Sequence, residues 1–288
     1  MSDLISKEEL LNLADYEVAC ELPEQHRLTE YAAGQVSLKE GVKEADAQEV
    51  ARKYGDFLLF CDEVDEISDL LTAPKRPFAA NHVLVSPHVG GILSPLGIVD
   101  RPITMTVKHV WAAMQPGPWE GGDFHHHGIP VATLKRLPWL LEHPALVANS
   151  KDDATKLILA LPATDNRGMP LISPIKIDAQ GRLDVDEFIA NLVCTVFGPV
   201  DFYDYFGLAL KPSNIVFIDS EMEAELCELT GRAVFSNLAD LSRDTELAHP
   251  QILGEPDFVV EGHDTTWLVE RVREHFSVVV QPEEDREV

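Results

Sequence analysis

The chain has 288 residues, 45% of them apolar, which suffices for one large domain or a main domain with appendages and excludes disorder throughout. Asp and Glu number 49 against 23 Lys and Arg, a formal charge of −26, and a surface of that sign repels phosphate backbones at long range. A basic stripe for nucleic acid is thereby excluded, and no apolar run approaches the roughly 18–20 residues of a membrane span.

Residues 1–75 read as an acidic helical segment. Ser6 and Glu9 form a capping-box pattern ahead of Leu10, Leu11, Leu13 and Ala14 at helical spacing, and a second helix is expected over residues 44–54. A short apolar run, FLLF at 57–60, and DEVDEISDLL follow; residues 1–70 carry 18 acidic and 6 basic side chains. The start of the chain is acidic where a targeting peptide would be basic. The four cysteines, Cys20, Cys61, Cys194 and Cys227, are widely spaced, as free thiols in a reducing compartment are, so a soluble cytoplasmic protein is expected.

TAPKRP at 72–77 reads as a boundary, after which strands and helices alternate. HVLVS at 82–86 and PITMTV at 102–107 are predicted strands, VGGILSPLG between them a turn or broken helix, and KHVWAAMQ the start of a helix. GPWEGGDFHHHG at 117–128 holds four glycines and Pro118 and reads as a loop; Pro130 then opens an amphipathic helix that ends by Pro144. Apolar runs at 155–161 and 169–177 flank DNRG, a hairpin signal, and NLVCTVFG at 191–198 predicts a further strand. SNIVFID and SEMEAELCELTG read as a strand and a capped helix stopped by Gly231; a helix and strand over 264–281 and an acidic tail close the chain.

His125, His126 and His127 cannot all face one point, because successive side chains diverge in both strand and helix. No H-x-x-x-H and no Cys pair accompanies them, so the spacing supports neither a metal site nor a cofactor. A solvated loop is the plain alternative to His127 as an acid or base beside a helix start. Lys108 stands where a strand passes into a helix, suited either to a phosphate or to an ordinary surface role, and Thr195 is either a substrate-orienting hydroxyl or a β-branched strand residue. Gly90, Gly91 and Gly97 match no nucleotide-binding pattern.

In succession, VLVSPHVGGILSPLGIVDRPITMTVKHV, HHHGIPVATLKRLPWLLEHPALVANS, TKLILALPATDNRGMPLISPIKI, LVCTVFG and SNIVFID resemble the C-terminal domain of phage MuF-type proteins, over about residues 80–232. The resemblance implies an α+β fold of the barnase, EndoU, colicin and RelE nuclease type, a small antiparallel sheet packed with helices, that cleaves RNA without metal. It places the family's histidine on His127, its basic residue on Lys108 and a serine on Ser150. A serine and tyrosine two apart in the family become Thr195 and Phe197, and a basic residue early in the helix after Lys108 becomes Ala112 or Ala113.

The expected organisation is thus an acidic helical segment at 1–75, a nuclease-fold domain at 76–235, and an α/β extension with an acidic tail at 236–288. Two functions are expected from it. One is a metal-independent endoribonuclease of a phage or mobile element, using His127, Lys108, Thr195 and Ser150 on RNA. The other is a non-catalytic acidic protein that occupies the cationic groove of a basic host or phage protein, of anti-restriction or anti-CRISPR type. Neither reading involves duplex DNA or a membrane.

Overall fold

Cap and turn chemistry divides the computed structural model, which describes residues 4–5, 37–38, 44–72, 81–116, 127–183, 186–199 and 214–230, into nine strands and five α-helices. β1 (Leu4–Ile5) and β2 (Ser37–Leu38) form a parallel pair within the segment expected to be helical; the Ser6–Glu9 capping box lies outside the described residues. α1 (Glu44–Asp69) is one helix where the sequence suggests a helix and a separate apolar run. Phe57, Phe60, Val64 and Ile67, spaced by three and four, bury one stripe of it, while Leu58 and Leu59 are half-buried.

β3 (His82–Ser86) pairs antiparallel with β4 (Ile103–Thr106), and a short 3-10 turn, Gly91–Leu93, lies in the connection. Gly91 has φ +54, and a Cβ there would overlap the backbone of Glu142, so the turn packs where only glycine fits. Thr106 then starts α2 (Val107–Met114): its Oγ1 accepts the His109 N–H at 3.2 Å. The helix expected from Pro130 is two, α3 (Val131–Lys135) and α4 (Leu137–Glu142). Pro138 is the cause, since it cannot donate within a continuous helix and is tolerated only in a first turn.

β5 (Leu146–Asn149), β6 (Lys156–Thr164), β7 (Pro170–Leu183) and β8 (Asp186–Val193) follow, and the expected hairpin is β6–β7 with Asp165–Gly168 as its turn. The strand read at 191–198 is thus shifted: β8 ends at Val193. β9 (Ile215–Ile218) leads into α5 (Ser220–Thr230), where Asp219 Oδ1 accepts the N–H groups of Glu221 and Met222.

Seven strands form one open sheet in the order β3-β4-β8-β7-β6-β5-β9. Five neighbouring pairs are antiparallel and β4–β8 is parallel, so the fold is mixed α/β and the small antiparallel sheet expected is found in part, within an open sheet of seven strands. One row crosses most of it: Val83, Met105, Val193, Ile175, Leu157 and Asn149. Residues of α1 to α4, among them Phe60, Ala113, Leu134 and Leu140, share one core with Met105, Leu157, Ile175 and Val193. On the opposite face Leu226 of α5 packs against Leu146, Ile158, Ala160 and Ile172. Among the described residues no helix is long and apolar enough to cross a membrane.

Candidate functional site

β4 and β8 run side by side only as far as Met105 and Val193; beyond that row β4 turns into α2, and the chain leaving β8 continues along β7 alone. The Cys194 N–H donates to Pro174 O at 2.9 Å, and Phe197 and Ile172 exchange both backbone bonds at 2.9 and 3.1 Å. Val193 faces Ile175 and Phe197 faces Ile172, so four steps on one side match three on the other and the chain bulges at Thr195. Among the described residues the departure of β4 leaves a notch in the outline of the sheet beside that bulge. Carboxyl ends of parallel strands where the chain diverges are recurrent sites for ligands in open sheets.

Residues 127–129 run past the C-terminal turn of α2. The N–H groups of His127, Gly128 and Ile129 donate to Ala112 O, Gln115 O and Ala113 O at 3.2, 2.8 and 2.8 Å. Gly128 takes φ +61, a conformation natural to glycine, and its carbonyl accepts the Asn166 N–H at 3.3 Å. The segment is thereby fixed between α2 and the β6–β7 turn. Its histidine spans the notch: His127 Nε2 lies 3.2 Å from Thr195 Oγ1, and its ring sits 5.4 Å from the Phe197 ring at 33°. Either the hydroxyl donates to a ring protonated on Nδ1, or the ring N–H donates to the hydroxyl.

The structure thus joins two of the residues selected from sequence, His127 and Thr195. Lys108, exposed on α2, lies one helical turn before Ala112 on the same stripe, and leaves the sheet at the same end as Thr195. Ser150 is elsewhere: its N–H donates to Lys156 O at 2.9 Å at the end of β5, three strands from β8, or about 14 Å at ordinary strand spacing. His125 and His126 lie outside the described residues.

Two neighbours escaped the sequence reading. Arg167, read there only as part of a turn, directs Nη2 to Gly198 O and to Asp165 Oδ2, both at 2.6 Å, so a cation is held next to the segment beyond β8 that carries Thr195 and Phe197. Asp165 is buried and also accepts the N–H groups of Arg167 and Met169 at 2.8 and 3.0 Å. A Cβ on Gly198 would lie 2.5 Å from Asp165 Oδ2, which explains the glycine.

The second is His82, beside His109 at the β3–β4 edge. His82 Nδ1 meets Thr104 Oγ1 at 3.0 Å and His109 Nδ1 meets Thr106 Oγ1 at 2.9 Å. Burial, then the neighbouring His109, lowers the His82 imidazole to about 4, so it is neutral near pH 7. Nothing in HVLVS signalled this, because strand alternation alone does not say which polar side chain will be covered. Among the described residues no group of three or more His, Cys, Asp or Glu is placed to hold a metal ion.

The chain matches no family model, no curated protein and no solved structure.

Proposed function

We propose that the chain is a metal-independent endoribonuclease of phage or mobile-element type, acting on single-stranded RNA in the cytoplasm, with the barnase/RelE-like nuclease fold implied by its MuF-type resemblance. The observation that carries this reading is the 3.2 Å contact of His127 Nε2 with Thr195 Oγ1 at the notch left by β4. A positioned imidazole beside a hydroxyl is a general acid–base unit near neutral pH.

In the proposed reaction the ribose 2′-oxygen attacks the adjacent phosphorus and the 5′-oxygen leaves. The products are a 2′,3′-cyclic phosphate and a 5′-hydroxyl. His127 takes the 2′-proton as base or supplies a proton to the leaving oxygen as acid, Thr195 orients the phosphoryl group, and Lys108 offsets its charge. Phe197 stacks beside the imidazole where the family carries a phenol, and Ser150 has no part at the reacting phosphate. Lys108 is exposed, whereas Arg167 is paired with Asp165, on a chain of net charge −26.

The test is cleavage of a labelled single-stranded RNA by the pure chain, with product ends identified. A cyclic phosphate lost on His127→Ala supports the reading; intact RNA, or cleavage indifferent to His127, ends it.

A second reading rests on the acidic helices. Exposed Asp62, Asp65 and Glu66 on α1, and Glu221 and Glu228 on α5, suit a non-catalytic protein that binds a basic host or phage protein. Such association slows steeply with salt as the Debye length shrinks from about 10 Å at 0.1 M to about 3 Å at 1 M. Tight, salt-resistant binding to duplex DNA would contradict both readings.

A further inference from the structure

β3 is the terminal strand of the sheet, and an open edge offers backbone groups that must be covered or solvated. α1 packs there: Phe57, Phe60, Val64 and Ile67 enter the core that holds Val83 and Val85. Glu63, on the same helix, accepts a hydrogen bond from the backbone of Leu84 in the middle of β3, and its Oε2 is buried with no partner among the described residues. A buried carboxyl oxygen with no donor is tolerable in a neutral acid and costly in a carboxylate.

We propose that Glu63 is a proton-operated clasp between α1 and the β3 edge, closed when its carboxyl is neutral and loosened when it ionises. Burial, then the charge of Glu66, pushes that carboxyl up to about 8, against the lowering effect of the Leu84 bond. Among the described residues no cation acts on it in compensation. On the part of α1 whose side chains are described stand Asp56, Asp62, Asp65, Glu66 and Asp69; Lys135 of α3 is taken by Asp65 at 2.6 Å. Among the described residues, Arg136 at the junction of α3 and α4, Lys108 and His109 of α2 and the neutral His82 of β3 are the further charged or titratable groups on or next to the elements packed against α1, and of all these charges only Glu66 acts on Glu63.

The sign follows from proton counts. With the seam open the carboxyl titrates near its ordinary 4.5, and closed near about 8, so the closed form binds more protons between those values. Closure is strongest below the lower value, weakens as pH rises, and stops changing above the upper one.

Amide hydrogen exchange at Leu84 in the full chain, corrected for intrinsic rates, tests this directly. Protection is expected to fall about tenfold per pH unit between pH 5 and 8 and then level off. Glu63→Gln keeps an acceptor for the Leu84 N–H and should give pH-independent protection. Glu66→Gln, at an exposed site, should move the levelling-off to lower pH. Flat protection in the unaltered chain, the same slope in Glu63→Gln, or an unmoved break in Glu66→Gln would each overturn the proposal. If Glu63→Gln does not fold, the unaltered chain and Glu66→Gln still decide it.

Discussion

His127 and Thr195, 68 residues apart in the chain, meet at 3.2 Å because β4 leaves the sheet where the chain beyond β8 bulges. His127→Ala should reduce RNA cleavage by roughly 10²- to 10⁴-fold, the contribution of a positioned acid or base, while His125→Ala should do little. Equal losses at the two histidines would remove His127 from its assigned role. Phe197→Tyr would place a phenol beside the imidazole and should raise the rate; single-turnover cleavage measures all three.

Asp165 holds the β6–β7 turn through two backbone N–H groups and the Arg167 side chain. Asp165→Ala leaves these donors without their acceptor and should cost about 2–4 kcal/mol in urea unfolding. Asp165→Asn, which keeps one acceptor oxygen, should lose less. Equal losses would show that the carboxylate charge, not the shape of the side chain, governs the turn.

Ser173 is fully buried on β7, and its Oγ has no hydrogen-bond partner among the described residues. An unpaired buried hydroxyl costs free energy, so Ser173→Ala should leave stability unchanged or raise it by up to about 1 kcal/mol. A clear drop in thermal midpoint would refute this.

His82 titrates near about 4 in the folded chain against an ordinary 6.5, through burial and then His109. The unfolded chain therefore binds more protons between those values, and stability rises with pH across that window by at most about 1.4 kcal/mol per unit. The contribution is present above 6.5 and lost as pH falls through 4. His82→Gln should remove it. The slope is cleanest in a Glu63→Gln background, since Glu63 contributes the opposite sign between 4.5 and about 8.

The hairpin was legible because DNRG supplies its own cap, with Asp165 bonding two and four residues onward. The start of α2 was legible for a similar reason, a strand ending on residues able to cap a helix. Less was legible where tertiary context decides. FLLF looks like a separate run, yet only Phe57 and Phe60 face inward, at helical spacing within α1. The residues 191–198 look like one strand, and it is the loss of β4 as a neighbour that ends the ladder at Val193. His127, Thr195 and Lys108 each stand out in their local context, but only the family resemblance links positions so far apart into one site. Arg167 was hidden because its partner, Gly198 O, is a backbone group.

The parallel pairing of β4 with β8 also orders events in time. β6, β7 and β8 are successive antiparallel neighbours, closed by short connections, whereas Ile103 must await Asn191 before it has a partner on that side. Closing so long a loop costs entropy before any contact rewards it, so the meander should assemble first and β3–β4 dock onto it afterwards. His127 is held by α2 and Thr195 by the chain beyond β8, so the two come together only at that docking step. In pulse-labelled refolding, amides of β6 and β7 should gain protection ahead of those in β4, and the notch should be among the last features to form. A chain still emerging from the ribosome would then carry no assembled His127–Thr195 pair until β8 had been made.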